Sequence, residues 1–150
     1  MPSTFLRTLF VVLATTLSLF FTEAQAMYAR MSDTQLIKAS DLIVLGTLSG
    51  FATKPDPAGS GQRLFGILNV DEAIKGGKGV GPVWLDVPQP GGLQSSSDIA
   101  FSRGQSGLWF LRRLPGAAGR AVYAADHPQR FMPHPQAQET ARAVRDALKQ

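Results

Sequence analysis

The sequence predicts a mainly-β domain: a small, partly open barrel of five strands, with a short helix before it and an amphipathic helix after it. Three observations lead there. Five extended runs rich in branched and aromatic residues are separated by Gly- and Pro-rich segments. Helical patterning occurs only at the two ends of the mature chain. No helix-length pattern stands between successive strands, as a parallel α/β sheet would require.

The elements follow in order. Ser32-Asp33-Thr34-Gln35 matches a capping box, in which Ser32 and Gln35 each satisfy a helix-start amide, so a short helix should run to about Ser40. Residues 42–48 are apolar at nearly every position, the mark of a strand buried on both faces, and Gly46 within them suggests a bulge or bend. Residues 53–62 hold Pro55, Pro57, Gly59 and Gly61 and read as a turn-rich loop. Residues 63–74 resume an extended pattern, and 76–82 form a glycine hinge. Residues 83–87 alternate cleanly, which places Trp84 and Asp86 on one face and Val83, Leu85 and Val87 on the other. Residues 88–107, with Gly91, Gly92 and the serines Ser95 to Ser97, form a loop of a length usually reserved for function or disorder. Strands at 108–113 and 121–124 complete the set. Pro135 suits a first helical position, and Ala137, Ala141, Val144 and Leu148 fall on one stripe of a C-terminal helix. Glu139, Arg142 and Asp146 lie at helical neighbour spacings that favour ion pairs on its solvent face.

Residues 1–26 read as a cleavable secretory signal. Arg7 supplies the basic start, residues 9–21 the apolar middle, and Ala24-Gln25-Ala26 the small-residue cleavage form, so cleavage is expected between Ala26 and Met27. Glu23 closes the apolar run well short of the roughly 20 residues a spanning helix needs, so no stable membrane anchor should remain. The expected location is periplasmic or secreted. Residues 27–150 then form a single domain, long enough to bury a real core. Arg7 and Glu23 leave together, so the mature net charge stays at the +4 of the whole chain. There is no cysteine, which excludes disulfides, thiolate zinc and lipid attachment to a mature N-terminus.

The order of residues also carries a resemblance. Ala39-Ser40-Asp41-Leu42-Ile43-Val44-Leu45-Gly46-Thr47-Leu48, then Val70-Asp71-Glu72-Ala73-Ile74-Lys75-Gly76, then Gly107-Leu108-Trp109-Phe110-Leu111, resembles the progression AD-x-V-x-G-x-V, V-x-x-V-x-K-G, G-x-x-x-L-x-F-L. That progression belongs to small exported bacterial proteins with a netrin-like, tissue-inhibitor-of-metalloproteinase-like OB barrel. It spans residues 36–123 and implies an OB-like fold rather than an activity. The animal inhibitors chelate the protease zinc through an N-terminal cysteine, and a chain starting at Met27 has none.

Recognisable catalytic chemistry is sparse. His127 and His134 sit among prolines without the further ligands that zinc takes, so neither metal nor cofactor is expected. Gly104-Gln105-Ser106-Gly107 lacks the second glycine spacing of a nucleophile elbow, and Gly76-Gly77-Lys78-Gly79 lacks the Ser or Thr of a phosphate loop. No catalytic residue is assigned. The basic residues Arg103, Arg112, Arg113 and Arg130 are candidate ligand-binding groups, placed around the long loop with Trp84 and Trp109 nearby. The reading is an exported, non-catalytic binding or inhibitory module of the envelope. Its partner would be an envelope protein or an anionic glycan or lipid head group, and nucleic acid is not expected outside the cell. The alternative is a small hydrolase using Asp126, His127 and loop residues.

Overall fold

Residues 42–48 are apolar on both faces because both are covered. In the computed structural model, which describes residues 30–56, 59, 61–77, 81–92, 99–115 and 121–149, they open strand β1 (Leu42–Pro55). The expected cleavage point at Ala26 and Met27 and the serines Ser95 to Ser97 lie outside the described residues. β1 is followed by β2 (Gln62–Lys75), β3 (Val83–Asp86), β4 (Ser106–Arg113), β5 (Val122–Ala124) and β6 (Phe131–Pro133), with helix α1 (Asp33–Lys38) before them and α2 (Gln136–Ala147) after. The fold is therefore mainly β, in one six-stranded sheet.

Pairings β1–β2, β2–β3, β3–β5, β5–β4 and β4–β1 link five strands in a ring, and β6 adds to β4. All are antiparallel except β3–β5. Leu42, Val44, Leu48, Leu68, Val83, Leu85, Val87, Trp109 and Leu111 share one core. The alternate residues Ile43, Leu45, Leu108 and Phe110 form a second core with Leu36 of α1 and Ala137, Ala141 and Val144 of α2. Side-chain alternation explains the split: β1 and β4 offer one face to the strands opposite and the other to the helices.

The elements depart from expectation at their edges. A sixth strand appears because β6 has only three residues, ending in Pro133, too few to carry a period. β1 and β2 run to Pro55 and from Gln62, since a proline is tolerated where a strand ends and its missing donor faces no partner. Gly46 does mark an irregularity, a register shift in the β1–β2 ladder, and a Cβ there would overlap the Asn69 carbonyl oxygen. β3 alternates as expected: Val83 and Leu85 are buried, Trp84 and Asp86 half-buried.

Helix α1 is only six residues long, and its ends are held from outside. The Ser32–Gln35 capping box forms in full. At the other end Lys75 Nζ donates to the carbonyls of Ile37 (2.7 Å) and Ser40 (2.6 Å), and Arg130 Nη2 donates to Ala39 O at 3.3 Å. Positive charge at a helix C-terminus also matches the helix dipole. In α2, Pro135 takes the N-cap position rather than the first helical one, and Leu148 lies beyond the helix, 42% exposed, so it leaves the buried stripe. Arg142 forms no ion pair among the described residues; Arg145 instead grips Glu72 of β2 through both carboxylate oxygens, each at 2.7 Å.

Candidate functional site

β3 and β5 run parallel, with Asp86 beside Ala124, so both strands deliver their C-terminal ends to the same mouth of the ring. There the chain places Asp86, Val87, Pro88 and Gln89 from one strand and Ala124, Ala125 and Asp126 from the other around a cleft of about 220 Å³. Arg63 of β2 and the returning loop residues Ile99 and Phe101 complete its lining.

The two stems of the long loop are fixed for different reasons. Gln89 behaves like an additional strand residue: its Oε1 accepts from Leu64 N (2.8 Å), and its Nε2 donates to Leu64 O (3.0 Å) and Val87 O (2.9 Å). Phe101 lies parallel to the buried Trp109, ring centroids 6.3 Å apart, so it is anchored by the core. The lining thus combines apolar groups, Ile99 and Phe101 among them, with the charged groups of Arg63, Asp86 and Asp126.

The charged groups are internally paired. Arg63 Nη2 donates to Asp86 Oδ1 at 2.6 Å, and Arg63 Nη1 lies 3.9 Å from Asp56. Asp126 accepts from Arg112 on Oδ2, at 3.2 Å from Nε and 2.5 Å from Nη2, and its Oδ1 forms an ion pair, without a hydrogen bond, with Arg130 Nε at 2.9 Å. The two carboxyls respond in opposite directions. Burial pushes Asp86 above its ordinary value, with the neighbouring Asp56 and Asp126 charges adding to it, and Arg63 only partly offsets this. Burial also acts to raise Asp126, but the hydrogen bond and charge of Arg112, with Arg130 behind, outweigh it and hold Asp126 below its ordinary value.

These directions set a pH dependence. A depressed Asp126 stabilises the fold above its unfolded pKa, and that contribution disappears as pH falls through the folded one. A raised Asp86 has the opposite sign: its contribution is complete below the unfolded pKa and vanishes as pH rises through the folded one. In urea unfolding across the carboxylate range, Asp126→Asn should therefore flatten the acid decline in stability, and Asp86→Asn should steepen it. Identical slopes in both variants and the wild type would contradict the assignment.

Of the four arginines proposed from sequence, the cleft recruits two, and only through Asp126. Arg112 is half-exposed and paired. Arg130 is 4% exposed and faces inward, its Nη1 donating to Ser40 Oγ and Phe110 O at 3.2 Å each; it is a structural pin and not a surface for ligand. Arg103 precedes β4, and its Nε donates to Ser49 O at 2.9 Å. Arg113 ends the same strand, whose eight residues span roughly 24 Å of extended chain. Arg103 and Arg113 therefore do not converge. Trp109 is core; Trp84 faces outward and packs on Phe65 at 5.2 Å.

Asp126 and His127 are neighbours that face different spaces. His127 lines a separate cleft of about 340 Å³ with Arg30, Asp33 and Gln129, and its Nδ1 accepts from Gln129 N at 3.2 Å, capping a single 3-10 turn. Among the described residues no group of three or more His, Cys, Asp or Glu stands close enough to hold a metal ion, and no helix is long and apolar enough to cross a membrane.

Sequence reasoning missed Arg63, Gln89, Ile99 and Phe101. One signal was present: Asp86 is a carboxylate on an otherwise apolar four-residue strand. No protein family model matches the chain, and no curated protein matches it.

Proposed function

We propose that the protein is an exported, non-catalytic binding or inhibitory module of the bacterial envelope, built on a netrin-like OB barrel. The ring order β1-β2-β3-β5-β4 supports the barrel reading, since an OB fold is a five-stranded, partly open Greek-key barrel that binds ligands over strands 2 and 3. The observation that carries the binding reading is the cleft at the mouth of the ring: its walls are anchored by Gln89 and by the Phe101–Trp109 stack, and its charges are already paired. Such a site can hold a ligand without reorganising, which is what favours binding.

The partner is an envelope protein, glycan or lipid head group that contacts this cleft. Immobilised protein should retain a component of envelope extract, and Phe101→Ala should reduce that capture at least fivefold while leaving the circular dichroism unchanged. Equal capture by the variant would move the site elsewhere. A salt series separates the earlier arginine reading: an anionic partner held by exposed Arg103 and Arg113 would be released as charge is screened.

A hydrolytic reading keeps one specific support, the opposite displacement of Asp86 and Asp126 in a single cleft, a pattern found in acid–base pairs. It replaces His127 by Asp86 as partner of Asp126. Hydrolysis of any ester or glycoside that is abolished in Asp86→Asn and kept in His127→Ala would establish it over the binding reading.

A further inference from the structure

Charge pairing in the cleft restricts what it can accept. Arg63 is engaged by Asp86 and Asp56, and Arg112 and Arg130 by Asp126, so three guanidiniums face three carboxylates. A phosphate or uronate would meet guanidiniums whose charge aspartates already balance, and an ammonium would meet carboxylates already held by arginines. Either one gains full pairing only by giving up an existing ion pair. A neutral ligand does neither.

Beside the spare N–H groups of Arg63 and Arg112, two acceptors remain open. Arg63 takes only Oδ1 of Asp86, which leaves Oδ2 without a partner among the described residues, and the carboxylate of Asp126 is 43% exposed, so its oxygens can receive a further hydrogen. Carboxylates accept, and in this site they call for O–H donors. The same lining holds Ile99 and Phe101, both half-buried, which offer apolar contact to C–H groups. A ligand with hydroxyls along one edge and a C–H face on the other is a sugar ring.

We propose that the cleft binds a neutral saccharide, with ring hydroxyls on Asp86 and Asp126 and the C–H face against Phe101 and Ile99. This rests on the binding-module reading and names the ligand class of the same site. The volume of about 220 Å³ lies below the range usual for drug-sized ligands, roughly 300–1,000 Å³, and suits one ring of a longer chain that continues into solvent.

The test is a titration of the 15N-labelled protein, read by amide shifts, with a fixed panel: maltotriose, mannotriose, galactobiose and N-acetylglucosamine trimer. Inorganic phosphate and a glucuronate oligomer serve as charged counterparts. The expected result is a saturable shift at the amides of residues 86–89 and 124–126 with at least one neutral sugar. Its affinity should be unchanged between 0.05 and 0.5 M salt, and tenfold or more weaker in Phe101→Ala and in Asp86→Asn. Phe101→Leu keeps the wall apolar and guards against loss of fold; it should weaken binding less than Phe101→Ala.

Two outcomes overturn the proposal. If the charged probes shift these amides and no neutral sugar does, the ligand class is wrong while the binding-module reading stands. If no member of the panel shifts them but capture from envelope extract still depends on Phe101, the cleft binds something other than a saccharide. Loss of that capture dependence as well would remove the binding reading itself.

Discussion

Arg130→Met should lower the unfolding free energy by roughly 2–5 kcal/mol, through the interior hydrogen bonds that its guanidinium makes. The expected loss does not come from Asp126, which keeps Arg112 and remains partly in water. It comes from the groups that Arg130 serves in the interior. Without it, Phe110 O in the middle of β4 and the buried Ser40 Oγ lose their donor, and leaving a buried acceptor unpaired costs about 1–3 kcal/mol each. Arg130→Lys should recover only part of the loss, because one ammonium cannot reach Ala39, Phe110 and Asp126 together. Urea denaturation decides this. A methionine variant within 1 kcal/mol of wild type would mean the guanidinium is replaceable by packing alone.

Trp109→Ala should be at least as damaging, roughly 4 kcal/mol or more, since large aromatic truncations in cores cost about 3–5 kcal/mol before any polar term. Trp109 is fully buried, lies 4.4 Å from the ring of Phe131, and donates from Nε1 to Gly46 O at 3.1 Å. That hydrogen bond lands where the β1–β2 ladder shifts register, so the indole also closes a carbonyl at the bulge. Trp109→Phe keeps most of the volume and loses the hydrogen bond, for which about 1 kcal/mol is the usual net value. Because Phe101 stacks on the indole, the alanine variant should also loosen the cleft wall. Comparing the two variants by urea midpoint and by amide shifts at residues 86–89 checks both effects. Equal destabilisation by alanine and phenylalanine would show that the hydrogen bond, not the volume, dominates.

Much of the fold is legible in the sequence because its signals are local. The capping box at Ser32, the two-faced apolar run of β1, the alternation at Val83 to Val87 and the stripe of α2 each depend on a period or a cap within a few residues. What escapes is pairwise and distant. Arg130 reads as one more surface arginine beside Pro128 and Pro133, and only the approach of Ser40, some ninety positions away, makes it interior. Gln89 lies between two prolines, where turn chemistry is the natural reading, until Leu64 comes alongside and the side-chain amide completes a ladder. The cleft is legible only in part for the same reason: Asp86 can be singled out on its strand, but the loop residues Ile99 and Phe101 acquire meaning from Trp109 and from the parallel pairing of β3 with β5.

The ring also has a consequence in time. Leu42 meets Leu111 and Thr47 meets Ser106 across the whole of β2, β3 and the long loop, so the pairing that joins β1 to β4 must overcome a large loop-closure entropy before any of its contacts form. β1 and β2 can zip early as a hairpin, but that hairpin bares Ile43 and Leu45 on one side and Val44 and Leu48 on the other. Neither set is covered until β4 arrives, and α2, which with α1 covers the outer set, comes later still. Between these two moments the protein is a twisted ribbon with two oily sides, and its greatest exposure to aggregation falls in the interval before β4 and α2 have collapsed onto it.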